Sequence, residues 1–316
     1  MAGNQNGTPA RGGTKVWTTL ITNTDYLPGL LTLEFSLRKS NSKYPLLVLY
    51  TDSFPPEGHA ALDARGIPKR RVPYLLPTIS KDFVNDVRFY DCWSKLTPFS
   101  LVEYERVVQL DSDMVVLQNM DELMDLELDA PELAGTGDRV FAASHACVCN
   151  PLKRAHYPKD WIPSNCAYTS QHATPELAQR AGAPSAAGLG IPNGGLQVVN
   201  PSQAIYDRII AQLASSATSN YEFADQSLLS DVFFGRWVGL PYIYNALKTL
   251  RWDGVHDVIW VDENVKNVHY ILSPKPWEEE LSSDGRKSVD PSHAWWWKMN
   301  DERLEEKRRR GLTDNF

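Results

Sequence analysis

The chain has 316 residues, of which 42% are hydrophobic, 10% aromatic and 22% charged, and these values are ordinary for a globular protein. This length accommodates one large α/β domain, or one domain with an appendage, around a sizeable core. The net charge of -7 argues against nucleic acid and anionic membranes as partners. The sequence contains no run of about 18 apolar residues, so no transmembrane helix is predicted.

Residues 1–14 are polar and rich in glycine, and they contain no apolar core of a signal peptide. We therefore expect a disordered N-terminal tail on a cytoplasmic protein. In the cytoplasm, cysteines are expected as reduced thiols.

The first part of the chain alternates between predicted strands and helices. A strand is predicted over 15–22, a helix with apolar residues at helical spacing over 27–39, and a second strand over 44–50. This strand–helix–strand start indicates a βαβ unit and a parallel sheet. Because the sequence has no Gly-x-Gly-x-x-Gly, a dinucleotide-binding dehydrogenase is poorly supported. Further elements are predicted over 59–65 (helix), 72–77 (extended) and 91–103 (helix).

Two carboxylates follow the next predicted strand directly. Residues 106–110 form a short apolar run with β-branched residues, which indicates a buried strand, and Asp111 and Asp113 come next. Ligands of open α/β sheets bind beyond the carboxyl ends of strands. Oxygen ligands suit Mg2+ or Mn2+, which can bridge to a diphosphate. The pair predicts a metal–diphosphate site, although an Asp-x-Asp alone is equally compatible with a solvated turn.

Far downstream, His269 ends another short apolar segment and Lys275 follows it. The histidine can supply a nitrogen ligand to the same metal, and the lysine can meet phosphate as a point charge. Taken alone, His269 is better explained as a packed or surface histidine. Together with the aspartates, these residues have the parts needed to hold a nucleotide diphosphate.

The second half of the chain contains one long excursion and two predicted helices. Residues 152–187 are rich in Pro, Ala and Ser with little periodicity, and long excursions in compact domains are often functional. A helix is predicted to open at Pro201 in its first position. Its apolar face is expected to carry Ile205, Ile209 and Leu213. Residues 282–291 are predicted as a polar linker and 295–310 as a terminal helix.

Several short segments, in order along the chain, carry a resemblance to a known family. They are residues 18–26, 94–96, 111–113, 193–195, 223–226, 240–245 and 269–277. The chain resembles family 8 of the retaining glycosyltransferases, which includes glycogenin and the galactinol synthases. The resemblance extends from Lys15 to Trp297. It implies a single α/β domain of the GT-A type over 15–281, with a Rossmann-like, mostly parallel sheet flanked by helices, and a C-terminal helical tail over 282–316.

The resemblance also implies which residues hold the donor, a UDP-hexose. Tyr26 is expected to lie on the uracil ring as an aromatic face for a flat base, and Ser112 to contact the ribose through its backbone. Lys275 corresponds to the diphosphate lysine. The nucleoside pocket corresponds to Leu20, Thr22, Asn23 and Tyr26, and the ligands of Mn2+ or Mg2+ to Asp111, Asp113 and His269.

Around the transferred sugar, the resemblance implies Asp225 and Gln226 as the side chains nearest the anomeric carbon. Gly194 and Gly195 let the backbone approach the substrate closely. Lys95 and Asn193 complete the expected catalytic set. The resemblance implies retention of anomeric configuration, and it leaves open whether a covalent intermediate forms.

The branch of the family depends on the acceptor. Glycogenin glucosylates its own tyrosine, and the corresponding position here is Trp252, whose indole has no hydroxyl. Trp252 and the Cys147-x-Cys149 spacing instead resemble the galactinol synthases, although Ser112 stands where plant members carry glycine. We therefore expect transfer of a hexose, galactose before glucose, to a small polyol or sugar, with myo-inositol the first to test. A glycogenin-like glucosyltransferase, a non-catalytic nucleotide-sugar binding protein and a homodimer remain open.

The excursion lies between the strand that ends at Asp111 and Asn193, so it is predicted to line the acceptor side of the site. Its aromatic residues could stack on a ring and its polar residues could bind hydroxyls, although packing within the loop is the alternative for each. The candidates are Tyr157, Trp161 and Tyr168 for stacking, and His145, Asn165 and His172 for hydroxyl binding.

Cysteines and histidines are dense in the same part of the chain. Cys147, Cys149 and Cys166 lie among His145, His156 and His172, which is dense enough to consider a structural zinc. A Cys-x-Cys spacing is unlike the usual knuckle with two to four intervening residues. Small buried cysteines around the loop are therefore the simpler interpretation.

Overall fold

The computed structural model describes residues 15–79, 82–83, 89–279, 281–282, 285–286, 288 and 290–316. The predicted N-terminal tail lies outside the described residues, as does part of the predicted linker.

The strands and helices alternate along the first half of the chain, as the sequence predicts. The strands are β1 (Lys15–Ile21), β2 (Leu46–Tyr50), β3 (Lys69–Arg71), β4 (Arg106–Leu110), β5 (Met114–Val116), β6 (Phe141–Ala143), β7 (Leu196–Val199), β8 (Val238–Gly239), β9 (Ala246–Leu247), β10 (Asn267–His269), β11 (Leu281–Ser282) and β12 (Gly285–Arg286). The helices are α1 (Leu27–Lys39), α2 (Pro56–Arg65), α3 (Phe89–Cys92), α4 (Pro175–Ala178), α5 (Gln203–Leu213), α6 (Ala224–Val232) and α7 (His293–Arg309). Short 3-10 segments connect many of them.

A mixed seven-stranded sheet forms the centre of the fold, in the order β3-β2-β1-β4-β7-β6-β8. Neighbours β3, β2, β1 and β4 are parallel, whereas β7 runs antiparallel to both β4 and β6. Every residue of β4 is buried, as expected for a strand covered on both faces. The predicted α/β fold with a mostly parallel sheet and flanking helices is confirmed.

A small second sheet, in the order β5-β10-β9, joins distant parts of the chain. Strand β10 pairs antiparallel with β5, and His269 lies opposite Met114 in that register. Strand β9 pairs parallel with β10 on its other side. This pairing brings the end of β10 to the residues that follow β4.

Helix α7 packs against α1 and so joins the C-terminal helix to the domain. The buried hydroxyl of Thr32 donates to Oδ1 of Asn300 at 3.1 Å. On the surface, Arg38 pairs with Glu306 at 2.8 Å, a contact that contributes little on its own because water screens it. Within the described residues, no helix is both long enough and apolar enough to cross a bilayer.

Three predicted elements differ from the structure. The helix predicted over 91–103 is instead the short α3 followed by a 3-10 segment, Trp93–Ser100, which contains Pro98. Proline has no N–H for a helical hydrogen bond, and its ring disfavours the preceding turn of an α-helix. The paired strand after α2 is β3, so it ends before the predicted extended piece at 72–77.

The helix predicted to open at Pro201 begins at Gln203, and Ser202 is its extended N-cap residue. The N–H of Ser202 donates to the carbonyl of Phe99 at 3.0 Å, which holds this residue outside the helix. The predicted apolar face is confirmed, because Ile205, Ile209 and Leu213 are all buried.

Candidate active site

One cleft opens at the carboxyl ends of β1 and β4, where the sequence predicted a site. All of the donor-binding, metal-binding and catalytic residues predicted above line this cleft. The predicted set is therefore brought together from segments that lie far apart in the sequence.

The register of the two sheets positions the metal-ligand candidates. The backbone N–H of Asp111 donates to the carbonyl of Gly195 at 2.8 Å, which continues the β4–β7 ladder by one residue. The N–H of Tyr270 donates to the carbonyl of Asp113 at 2.9 Å, which continues the β5–β10 ladder. Asp111 thus extends the edge of the large sheet and Asp113 the edge of the small one, so the two carboxylates lie where the two sheets meet.

The side chains of Asp111, Asp113 and His269 converge. One ligand atom from each lies within 4.8 Å of the others. Nε2 of His269 is 3.2 Å from a carboxylate oxygen of Asp113 and 3.6 Å from one of Asp111. Two carboxylates and an imidazole form a donor set that Mn2+ or Mg2+ can use, so these residues fit a divalent cation.

A buried asparagine, Asn245, orients the imidazole of His269. Oδ1 of Asn193 accepts from the N–H of Gly195, so Nδ2 of Asn245 must be the atom that donates to it at 2.9 Å. Oδ1 of Asn245 then faces Nδ1 of His269 at 2.9 Å. Nδ1 therefore carries the hydrogen, and the lone pair of Nε2 points toward the carboxylates, as in many metal sites.

No role for Asn245 was predicted from the sequence. It lies in a segment, 240–245, that carries the family resemblance, but its role depends on a contact between β10 and the 3-10 segment before β9. No spacing rule in the sequence reveals that contact.

Two lysines neutralise the carboxylates in this structure. Nζ of Lys275 lies 2.5 Å from Asp113 and donates to the carbonyl of Tyr270 at 2.8 Å. Burial alone would raise the pKa of Asp113, but the charge of Lys275 outweighs it and holds this pKa well below its usual range.

Lys95 has the same relation to Asp111, with its Nζ 2.7 Å from the carboxylate. Burial works to lower the pKa of Lys95, but the adjacent carboxylate outweighs it, and the pKa lies well above the usual value. The two cations are thus held beside two of the three predicted metal ligands. The Lys275–Asp113 pair is buried and little screened by water, whereas the Lys95–Asp111 pair is half-buried.

The predicted glycines lie where side chains from two other elements come closest. A Cβ on Gly194 would collide with the carboxylate of Asp225, and one on Gly195 would collide with the imidazole of His269. The N–H of Gly194 donates to Oε1 of Gln226 at 2.8 Å. Close approach, rather than an unusual backbone angle, therefore explains glycine at these two positions.

Asp225 lies at the start of α6 and is nearly inaccessible to water. Burial raises its pKa to about 7, against the lowering effect of the Lys95 charge and with a further rise from Asp111. Near neutral pH, this side chain can therefore exist both as an acid and as a carboxylate. Gln226 follows it and is held by Gly194.

The residues predicted to bind the nucleoside also line the cleft. The ring of Tyr26 meets the ring of Trp277 edge to face, with centroids 5.8 Å apart, and Nζ of Lys275 lies 5.6 Å from the Tyr26 centroid. The hydroxyl of Thr22 donates to Asp91 at 2.7 Å, a contact that the sequence did not indicate. Leu20 and Asn23 also line the cleft, and the hydroxyl of Ser112 donates to the carbonyl of Leu20 at 3.0 Å.

Two of the three candidate aromatic residues of the excursion, Tyr157 and Trp161, line the cleft. Trp161 stacks on Phe223 with centroids 4.2 Å apart, and Tyr157 meets both rings edge to face. All three residues line the cleft. We call these three residues the aromatic wall.

Three other residues of the excursion, together with His145 just before it, are not among the lining residues of the cleft. Tyr168 is buried and donates to the carbonyl of His145, which itself bonds to backbone carbonyls of 183 and 184. His172 bonds to His256, and the Asn165 amide donates to the carbonyl of Asp160. The expectation that these side chains face the cleft is wrong, because each one bonds to another protein group away from it.

This geometry defines a class of protein. A GT-A-like sheet ends in two carboxylates, an opposing imidazole, one buried lysine and one half-buried lysine, and this set suits a divalent cation and an anionic diphosphate. A family model of glycosyl transferase family 8 matches residues 18–280. The chain belongs to this family and is a glycosyltransferase.

Its curated relatives include several galactinol synthases. Galactinol synthase 4 of Arabidopsis thaliana is 28% identical over 293 residues, covering 91% of this chain and 81% of the relative. Galactinol synthase 1 of Solanum lycopersicum is 28% identical over 303 residues, covering 92% of this chain and 83% of the relative. The chain is thus homologous to galactinol synthases at modest identity over most of its length.

Solved glycosyltransferases share the fold. The galactosyltransferase LgtC, crystallised with donor and acceptor sugar analogues, superposes with a TM-score of 0.58 at 15% identity, covering 93% of this chain and 100% of that one. GlyE of Streptococcus pneumoniae gives a TM-score of 0.57 at 17% identity, with 95% of this chain and 65% of that chain covered. At these identities the likeness shows the GT-A-like fold.

Proposed function

We propose that this glycosyltransferase moves a hexose, galactose in preference to glucose, from a UDP-sugar to a small polyol or sugar, with Mn2+ or Mg2+ and retention of configuration. The observation that carries the proposal is the convergence of Asp111, Asp113 and His269 beside the buried Nζ of Lys275. We also propose residues 15–281 as the catalytic domain of a cytoplasmic protein.

Cleavage of the bond between sugar and diphosphate leaves negative charge on UDP. A bound divalent cation supplies a Lewis acid that stabilises this charge. Lys275 would add a second positive charge at the same diphosphate, and its Nζ is held by donation to the carbonyl of Tyr270. Tyr26, braced by Trp277, offers a flat face for the uracil ring.

The transferred sugar then occupies the space between the carboxylates and α6. Lys95, Asn193, Asp225 and Gln226 line that space and offer donors and acceptors for hydroxyl groups. Asp225 and Gln226 are our candidates for the side chains nearest the anomeric carbon, and we assign the nucleophilic role to neither.

The aromatic wall supports a small ring as acceptor. Flat apolar rings suit the apolar face of a polyol or sugar ring. The homology to proteins named galactinol synthases supports galactose as the donor sugar and myo-inositol as the first acceptor to test.

The proposal is tested by a donor-by-acceptor screen. UDP-galactose and UDP-glucose are each incubated with myo-inositol or without acceptor, in Mn2+ or in EDTA, and both UDP release and glycosylated product are measured. We expect product from UDP-galactose and myo-inositol only with the metal. The Asp113→Asn variant keeps the side-chain volume but leaves the buried Lys275 without its carboxylate, so it is expected to fold with a lower melting temperature and to give no product.

Two results would contradict the proposal. Rapid glycosylation of a protein or oligosaccharide with only slow hydrolysis in the presence of myo-inositol would exclude the small acceptor. Tight binding of UDP and Mn2+ without turnover on any acceptor would instead indicate a non-catalytic nucleotide-sugar binding protein.

A further inference from the structure

A second group of possible metal ligands lies beside the cleft. The thiols of Cys147, Cys149 and Cys166 and the imidazole of His256 place one ligand atom each within 4.8 Å of one another. Cys147 also lines the cleft, whereas the other three residues are not among its lining residues. The cluster is therefore separate from the site at Asp111.

The local backbone explains how a Cys-x-Cys pair can serve one centre. Residues 146–148 belong to no helix or turn, and burial alternates from residue to residue over 146–149, so that every second side chain points to the same side. Ala146 and Val148 are buried in the core, while Cys147 and Cys149 are half-buried on the opposite side. Both thiols can thus face one ion, which the spacing in the sequence did not suggest.

His256 comes from a distant segment, so the sequence did not associate it with the cysteines. Its side chain is fully buried, with Nε2 lying 3.1 Å from Sγ of Cys149 and 3.4 Å from Sγ of Cys166. In tetrahedral coordination with Zn–S near 2.3 Å and Zn–N near 2.0 Å, sulfur and nitrogen are about 3.5 Å apart. The observed distances need to expand by only a few tenths of an ångström.

A neighbouring histidine orients this imidazole. Nε2 of His172 lies 2.8 Å from Nδ1 of His256. If that nitrogen of His256 carries the hydrogen and His172 accepts it, the lone pair on Nε2 of His256 faces the thiols. Ligating histidines characteristically have their other ring nitrogen hydrogen-bonded in this way.

The simpler interpretation, small buried cysteines that pack as apolar groups, does not explain this arrangement. Cysteines that only fill space have no reason to surround an imidazole nitrogen at hydrogen-bonding distance. None of the described cysteines forms a disulfide. Three sulfurs and one imidazole nitrogen form one of the ligand sets found in structural zinc sites.

We propose that Cys147, Cys149, Cys166 and His256 bind a structural Zn2+ ion as a closed Cys3His site, with His172 as a positioning residue. The thiols bind as thiolates, so their protons are released to solvent when the ion binds. No coordination position is left for substrate, and the site has no part in the transfer reaction.

The ion would connect three segments of the chain, at Cys147 and Cys149, at Cys166 and at His256. It would close the loop between Cys149 and Cys166, which carries Tyr157 and Trp161, and fasten that loop to the segment at His256. The aromatic wall would then be held in place without regular secondary structure. This consequence for the acceptor side rests on the proposed function, whereas the zinc site itself does not.

The test uses the Asp113→Asn full-length protein, so that the carboxylate site does not obscure the result. Zinc content is measured by mass spectrometry after desalting, and Co2+ is then exchanged into the protein. We expect one equivalent of zinc per chain and, with Co2+, the intense near-ultraviolet band of thiolate-to-cobalt charge transfer. Carboxylate and imidazole ligands alone do not give that band.

Two variants test whether the bound zinc is held by this cluster and not by another thiol. Cys166→Ser and His256→Gln are expected to lose the bound zinc and to lose or weaken the cobalt band. Cys92→Ser, which changes a cysteine outside the cluster, is expected to retain both. If the cluster variants fail to fold, the metal content and cobalt spectrum of the Asp113→Asn protein still decide the matter.

The proposal is overturned if this protein, prepared with reductant and zinc, retains no zinc and shows no thiolate–cobalt band. A disulfide among the three cysteines in protein freshly isolated under reducing conditions would also overturn it. Because neither readout involves sugar transfer, failure of the zinc site and failure of the proposed function are distinguishable.

Discussion

Nδ1 of His269 and Oδ1 of Asn245 lie 2.9 Å apart, and the amide nitrogen of the same asparagine donates to Asn193. One buried side chain therefore fixes the tautomer of a predicted metal ligand and connects it to the loop before β7. Partners of this kind commonly contribute 10–100-fold to metal affinity.

Replacing Asn245 is therefore expected to weaken metal binding without removing a ligand. Asn245→Ala should lower the affinity for Mn2+ by roughly 10–100-fold, measured by calorimetric titration. Asn245→Asp keeps an oxygen for Nδ1 and should bind Mn2+ more tightly than Asn245→Ala. Equal Mn2+ affinity in Asn245→Ala and the parent protein would contradict the orienting role.

The buried pair of Lys275 and Asp113 predicts a link between metal binding and stability. Lys275→Met leaves the carboxylate of Asp113 without its cation, and loss of one partner from a buried pair costs about 3–5 kcal/mol. We expect a lower melting temperature without metal and a larger rise on adding Mn2+ than in the parent protein. Lys39→Met, at an exposed ion pair, serves as the control and should change neither value.

The same variant tests the diphosphate role. With Lys275→Met, the donor KM should rise and kcat should fall together, because the cation is lost from both the bound donor and the leaving group. A normal kcat and a normal donor KM in this variant would remove Lys275 from the diphosphate site.

The site was predictable from the sequence because its main residues follow strands. Asp111 comes directly after β4, and the carboxyl ends of sheet strands are where such sites form. Residues such as His269 and Gly194 could be assigned to the site only because their segments follow the family order along the chain. The fold class follows from the same alternation of strands and helices.

The missed features depend on tertiary contacts. Asn245 and His256 acquire their partners through pairings between distant segments, for which the sequence contains no periodic signal. The excursion shows the same limit, since Tyr168 and His172 have residue types suited to a ligand but bond instead to His145 and His256, which lie outside the excursion. The boundary of α5 was set by a backbone hydrogen bond from Ser202 to Phe99.

The chain is not expected to glucosylate itself. Trp252 has no hydroxyl, and its indole nitrogen donates to Asp290 at 2.6 Å. After incubation with UDP-glucose and Mn2+, intact-mass spectrometry should show no added hexose. A ladder of hexose increments would restore the glycogenin-like interpretation and direct attention to one of the 13 tyrosines.

His293 predicts a loss of stability in mild acid. Its side chain is fully buried, and burial together with the charge of Lys248 lowers its pKa, against the raising effect of Glu279. Below about pH 6.5 the unfolded chain binds a proton that the folded chain does not, so the free energy of unfolding decreases as pH falls through this range.

The measurement compares melting temperatures at pH 7.5 and pH 5.5, values chosen to bracket roughly the pKa of an unfolded histidine. His293→Gln should show a smaller loss on acidification than the parent protein. His156→Gln, at an exposed histidine, should behave like the parent. An identical loss in all three proteins would show that His293 takes up its proton in the folded state.

The aromatic wall predicts a defect confined to the acceptor. Trp161 presents its ring beside Phe223 at the cleft, so Trp161→Leu should lose about 1 kcal/mol of stacking with a bound ring and raise the acceptor KM roughly fivefold. The KM for UDP-galactose, measured at saturating acceptor, should remain unchanged because the donor residues lie on other segments. Trp260→Leu removes an indole that is not among the cleft-lining residues and serves as the matched control. Equal changes in donor and acceptor KM in the Trp161 variant would show that the wall supports the whole cleft and does not contact the acceptor selectively.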